Sequence, residues 1–401
     1  MNKRQLYIIV ENVHNDIYSS SSVKVPDWAV MSIETVLGFY TDFDYNCLVK
    51  KDLLPLLPAT DLKLYFNLCY FPDASPNIWI NDKKTIDTIN NDSNSYLWMY
   101  SPHEATFRPD ELYEIIDQSG IKKEKIIFTC SSEEYNNKIV NGLKFVSVPE
   151  WWEAQYRHHL KHFSDVSFIT PEEKLKTIDT ANKKALTLNR NLKGHRLWWY
   201  QSLLDTKLID DSYVSYHIPS IAKSENYTKD SLVAWIRNEC KKMPSNLTEK
   251  IVNEPRIYQD RKLDEPSDQV IWHSDSVLPY YHNSLISIIT ESLDVENFLT
   301  EKTFKAIVHC HPFILVGNPA MNETLRARGY KTFESFFGME TIQTYEDAVT
   351  LIRTLEKRPL DNFKYLIKNK YWECIEHNWN NFMTRKISWK PIEEKLLRAT
   401  S

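Results

Sequence analysis

Two short segments gather side chains able to handle a phosphorylated ligand. The first is Thr300-Glu301-Lys302, which follows the apolar run at 284–291 (SLISIITE) and a short acidic loop. Thr300 is a good helix N-cap residue, and Phe304, Ile307 and Val308 recur at three- and four-residue spacing, so a helix is expected over 301–310. A carboxylate in the first turn of that helix can accept from a pair of ribose hydroxyls. An ammonium beside it, aided by the helix N-terminus, can neutralise a diphosphate. The second segment is LTLNRNLKGHRLWW at 186–199, where an apolar run ends at Asn189-Arg190 and a helix opens at His195-Arg196. Arg190, Lys193 and Arg196 would then cluster at a strand's carboxyl end beside a helix N-terminus, a diphosphate cradle that needs no glycine loop. Each segment has a plainer explanation too: a capped, solvated helix start for the first, a basic exposed turn for the second. Trp198 and Trp199 belong to the core under either.

The composition narrows what such a cradle could be. The chain of 401 residues contains 7 glycines, and neither G-x-G-x-x-G nor G-x-x-x-x-G-K-[ST] can be written from them. A Walker-type NTPase and a glycine-fingerprint nucleotide fold are therefore not expected. The six cysteines form no C-x-x-C and no zinc spacing with histidine, so they read as reduced core thiols. The longest apolar runs fall far short of a membrane span, and MNKRQLYIIVENVHND lacks an apolar core of signal-peptide length. A cytoplasmic setting, in a bacterium or a virus-infected host cell, is expected. Residues 1–180 carry 18 Lys and Arg against 26 Asp and Glu, whereas 181–401 carry 31 against 28. The mildly basic rear half is the natural place for an anionic ligand.

The elements that would position these segments alternate along the chain. Strands are expected at Leu6–Val10, 62–66, Ser95–Tyr100 and 125–130, with a helix at 110–118 stopped by Gly120. In the rear half, strands are expected at 184–189, 212–217, 284–291 and 313–317. Helices are expected at 195–205, 227–243, 301–310, 322–328, Tyr345–Lys357 and 362–385. This is an α/β pattern with largely parallel sheets. The reading is two Rossmann-like domains facing a cleft, 1–180 and 181–401, with the terminal helices packing back toward the first. Ligands of such sheets sit outside the carboxyl ends of the strands.

A strand ending in Glu291-Ser292, Thr300-Glu301-Lys302 at a helix start, and Pro312-Phe313 followed by Gly317-Asn318-Pro319 together resemble a known pattern. It is the donor-binding region of α-1,3-fucosyltransferase-like glycosyltransferases, and it is similar to related enzymes with exostosin-like C-terminal domains. Residues 284–338 carry the resemblance; the family's E-N-S stands here without its Asn. The resemblance implies a GT-B fold with the nucleotide sugar held mainly by the second domain. It implies that Glu301 contacts the ribose and Lys302 the pyrophosphate. It also implies a pyrophosphate contact from Arg196, with Arg190 as second choice.

Inverting transfer needs a base to take the acceptor hydroxyl's proton. The family places it after a strand of W-x-x-E-S-P type. Here YLWMYSPHEATF (96–107) offers Trp98 and Ser101-Pro102, but Tyr100 stands where Glu is expected. Glu104 or His103, just beyond, could substitute; Glu11, His14 and Asp16 are the competing set. Asp42-Phe43-Asp44 has the form of a metal-binding D-x-D and is read as a structural loop. Trp151-Trp152 with Arg157, His158, His159, Lys161 and His162 could stack a sugar, but an amphipathic helix with Trp inward and cations outward is the favoured reading. The expectation is a metal-independent glycosyltransferase using a nucleoside-diphosphate sugar, with no separate cofactor. Its acceptor would be a glycan or a hydroxylated base in viral DNA. The alternative is a non-catalytic nucleotide-sugar or glycan-binding protein.

Overall fold

The apolar runs of both halves become parallel strands. In the computed structural model the described residues are 5–10, 40, 42–68, 82–100, 116–162, 167–189, 193–217, 228–259, 261, 263, 277–292 and 297–400. The chain divides into two units, Met1–His158 with Lys386–Ser401, and His159–Arg385. Among the described residues no helix is long and apolar enough to cross a membrane.

The first unit holds a seven-stranded sheet. Its strands are β1 (Leu6–Val10), β2 (Leu48–Lys50), β3 (Leu62–Leu68), β4 (Ser95–Tyr100), β5 (Ile126–Cys130), β6 (Ile139–Val140) and β7 (Leu143–Ser147). The order is β2-β1-β3-β4-β5-β7-β6, and among the described residues only the β6–β7 pairing is antiparallel. Every residue of β4 is buried, as a central parallel strand covered on both faces requires. Ile9, Tyr65, Leu97, Met99, Phe128 and Phe145 make the core on one face. Gly120 at φ +70° ends the helical turn at 116–119; positions 110–115 lie outside the described residues.

Two features of this unit depart from the sequence reading. The first seven residues of the helix Trp151–His162 are all buried, so this stretch is not amphipathic. Arg157 does not face water there; it pairs with buried Glu153 one turn back, at 2.9 Å. The second departure is a terminal helix, Lys390–Ala399, that the sequence reading did not include. Asp42 fastens its start, accepting from Ser388 Oγ at 2.6 Å and from the Trp389 N–H. The Trp389 ring packs against Phe43, Tyr40 and Trp98, with centroids 5.1, 5.6 and 6.0 Å away. Asp44 accepts from the Asn46 N–H and side-chain amide at 2.9 and 2.8 Å. Both aspartates of the D-x-D are thus occupied by the chain itself.

The second unit holds five parallel strands, β8 (Lys183–Asn189), β9 (Ser212–Tyr216), β10 (Ser284–Thr290), β11 (Phe313–Val316) and β12 (Thr341–Ile342), in the order β12-β11-β10-β8-β9. Numbered within the sheet this is 2-1-3-4-5, a doubly wound order that reverses between β8 and β10. Helix Gly194–Leu204 follows β8, and helix Glu301–Val308 follows β10. The helix expected over 227–243 is shorter, Lys229–Glu239, and a second helix, Ser245–Val252, begins directly after Pro244. The run at 362–385 comprises Leu360–Leu366, a π-helical turn at Ile367–Tyr371, and Trp372–Thr384. At the amino end of β10, the fully buried Lys174 donates to the carbonyls of Tyr281 and Ser284 at 2.6 and 2.8 Å and lies 2.9 Å from His311 Nε2. Burial pushes its ammonium down to about 7.

Candidate functional site

In a doubly wound sheet the strand connections leave in opposite directions at the order reversal, which opens a crevice at the carboxyl ends there. In the second unit that place is where β8 ends at Asn189 and β10 at Thr290. The two end residues are joined: Thr290 Oγ1 donates to the Asn189 side-chain carbonyl. The Asn189 backbone N–H is held by Ser215 Oγ of β9 at 3.0 Å. Its side-chain amide nitrogen is buried and has no hydrogen-bond partner among the described residues. A buried donor left unpaired is costly, so Asn189 Nδ2 is a candidate for contact with a bound acceptor group.

From Thr290 the chain passes to Glu291, which is fully buried. Its carboxylate accepts from the Thr300 N–H at 3.0 Å, from Thr300 Oγ1 at 2.5 Å and from Thr303 Oγ1 at 2.6 Å. Thr300 is the N-cap of the helix Glu301–Val308, as the sequence indicated. The helix is anchored by its buried face, where Phe304 packs on Phe382 with centroids 5.8 Å apart. Lys302 Nζ reaches Glu301 Oε1 at 3.0 Å, and Ser292 Oγ and Thr300 Oγ1 at 3.1 Å each. Lys302 and Glu301 remain 24% and 16% exposed, so both can meet a ligand. Burial raises the Glu301 carboxyl, but Lys302 and Lys305 outweigh it and hold it below the ordinary carboxylate value.

The helix after β8 brings a second set of cations to the same strand end. Gly194 opens it in close contact with the helix Lys229–Glu239: a Cβ there would fall 2.6 Å from the Glu239 carbonyl oxygen. His195 Nε2 lies 2.8 Å from the Glu291 carbonyl oxygen, so that nitrogen carries the proton. Burial, with Arg196 beside it, holds His195 neutral, far below its usual range. Arg196 donates to the carbonyls of Thr290 and Glu291 at 3.2 and 3.0 Å, and Lys193 Nζ to that of Ser292 at 2.7 Å. The guanidinium of Arg196 is buried and braces the end of β10.

Asn189, Arg196, Thr300, Glu301 and Lys302 are therefore linked through one hydrogen-bonded network. Arg190, His103 and Glu104 lie outside the described residues, as do Glu11, His14 and Asp16. Tyr100, standing where the family pattern has Glu, is fully buried with its hydroxyl 3.4 Å from that of Tyr40. The sequence places Lys193 in this cluster, but the parts played by Glu291, Thr303 and His195 were not read from it. The available signal was a threonine pair flanking Glu301-Lys302, with a carboxylate at the preceding strand end. Among the described residues no group of three or more His, Cys, Asp or Glu is placed to hold a metal ion.

No protein-family model matches this chain, and a search of curated proteins finds no significant relative.

Proposed function

We propose that this chain is a GT-B glycosyltransferase that moves a sugar from a nucleoside-diphosphate sugar to a hydroxyl acceptor, with inversion and without an obligatory metal. One observation carries the reading. A carboxylate and an ammonium, Glu301 and Lys302, stand partly exposed at a helix start beside the order reversal of a parallel sheet. That is the pairing a ribose diphosphate needs: an acceptor for the hydroxyls and a cation for the phosphates. Two largely parallel sheets in separate units are what the fold calls for.

The roles follow from chemistry. Glu301 accepts from the ribose hydroxyls. Lys302 and Arg190 meet the diphosphate, with Arg196 adding positive charge from behind the strand end. Asn189 offers its amide to a phosphate or sugar oxygen. As the glycosidic bond breaks, negative charge gathers on the leaving diphosphate, where these cations and two helix N-termini stabilise it. The base that takes the acceptor proton comes from the first unit, with Glu104 or His103 in that role. The acceptor is a glycan or a hydroxylated base in viral DNA.

The test is release of nucleoside diphosphate from a panel of UDP-, GDP- and dTDP-sugars, offered with oligosaccharide and hydroxymethylated-DNA acceptors. Acceptor-dependent release from one donor class supports transfer. Donor binding with no release under any acceptor would favour a non-catalytic nucleotide-sugar binder.

A further inference from the structure

Two loops of the second unit converge on a single residue. The backbone carbonyl of Glu291 accepts from His195 and Arg196, at 2.8 and 3.0 Å, while Lys193 holds the next carbonyl, of Ser292. These donors all belong to the connection after β8. The side chain of Glu291 faces the connection after β10, taking the Thr300 N–H and the hydroxyls of Thr300 and Thr303. Backbone and side chain of one residue thus bind the starts of two helices.

The chemistry of the clamp requires a carboxylate. Three donors converge on its two oxygens, and neither oxygen could be replaced by an N–H without loss. Thr300 Oγ1 donates to Glu291 while it accepts from the Lys302 N–H at 3.4 Å and from Lys302 Nζ at 3.1 Å. An amide in place of the carboxylate would present a third donor to that hydroxyl. Thr300 would have to turn its lone pairs away from Lys302 to receive it. Glu291 itself is sealed from solvent, so it has no surface to offer a ligand.

We infer that Glu291 is a positioning residue of the diphosphate site: through Thr300 it fixes Lys302 at the phosphate, and its carbonyl and carboxylate together hold the two helix starts in register. This rests on the reading of Lys302 given above and names the device that makes Lys302 effective. A carboxylate serving only as a helix cap would matter for stability and not for the ligand.

The experiment is calorimetric titration of UDP, GDP and dTDP into wild type, Glu291→Gln, Thr303→Val, Lys302→Ala and the double variant Glu291→Gln/Lys302→Ala, with melting temperatures alongside. Glu291→Gln is expected to weaken the bound nucleotide by about tenfold or more, the lower end for losing hydrogen bonds to a charged group, and Thr303→Val, which removes one of the three donors, by about threefold. The double variant is expected to bind no more weakly than Lys302→Ala alone, because Glu291 acts through Lys302. Wild-type affinity in both Glu291→Gln and Thr303→Val overturns the inference, as does a Glu291→Gln loss that adds in full to that of Lys302→Ala. If Glu291→Gln does not fold, Thr303→Val decides alone: weaker binding supports the clamp and unchanged binding refutes it. Wild type binding none of the three nucleotides overturns the reading of the site, and this inference with it.

Discussion

The Lys302 ammonium lies 3.0 Å from the carboxylate of Glu301, its neighbour in sequence, so the two groups assigned to diphosphate and ribose close on each other. A diphosphate must then compete with Glu301 for Lys302, while a ribose rewards Glu301 for letting go. The two halves of a nucleoside diphosphate therefore have opposite relationships to the pair.

Removing each partner should separate those relationships. Lys302→Ala is expected to weaken both the nucleoside diphosphate and inorganic pyrophosphate by about tenfold or more. Glu301→Ala is expected to weaken the nucleoside diphosphate but to strengthen inorganic pyrophosphate, because a competing anion has gone. Both side chains are partly exposed, so neither change should move the melting temperature by more than about 4 °C, the shift for ~1 kcal/mol in a unit of this size. Competition titrations with pyrophosphate check this; parallel losses for both ligands in Glu301→Ala would contradict it.

Lys174 gives the second unit a pH signature at the amino end of its central strand, β10. Burial lowers its ammonium from 10.5 to about 7. Between those values the unfolded chain binds a proton that the folded chain does not, so stability rises with pH across that window and the gain is lost as pH falls through 7. The slope is about 1.4 kcal/mol per pH unit. Replacing the residue, as in Lys174→Met, removes this slope, so the stability gap between wild type and variant should widen from pH 7 to pH 9 in urea titrations. A constant gap would show that the lysine stays charged when folded.

Acid should act through buried imidazoles. His195, His309 and His311 are all held well below the usual histidine value, chiefly by burial, with Arg196 or Lys residues adding to it. Each favours the folded state above about 6.5 and loses that contribution as pH falls, because the unfolded chain takes up the proton first. Urea midpoints for the second unit should drop steeply between pH 6.5 and 5. A flat profile there would contradict neutral, buried imidazoles.

In the first unit the terminal helix is held by Trp389 and Asp42. Trp389→Ala is expected to cost about 3–5 kcal/mol, the range for deleting a buried aromatic ring. Asp42→Ala leaves the Trp389 N–H without its acceptor and should cost about 1–3 kcal/mol. Hydrogen exchange should rise in β4, β5 and β7 while β10 stays protected. Equal acceleration in β10 would mean that the two units do not unfold separately.

How much of this could be read from the residues varies with the length of the signal. The long apolar runs of β4, β8 and β10, bounded by turn residues, announced themselves; β2, β6 and β12 are two or three residues long and carry no period. The cap at Thr300 was legible because capping is local. The clamp on Glu291 was not, because it joins a strand end to a helix start nine positions away through side-chain hydroxyls. Arg196 illustrates the same limit: its charge was evident, but its bonds to the carbonyls of Thr290 and Glu291 depend on how β8 and β10 pair. The buried Glu153–Arg157 pair mimics a solvated helix face in sequence, since i,i+4 partners look alike in water and in a core.

The diphosphate site is a place in the fold, and a ligand-bound crystal structure tests where it lies. With the tightest-binding of UDP, GDP and dTDP, the diphosphate is expected at the carboxyl ends of β8 and β10, within hydrogen-bond distance of Lys302 Nζ, and the ribose at Glu301. A nucleotide found elsewhere, with Lys302 still paired to Glu301, would contradict it.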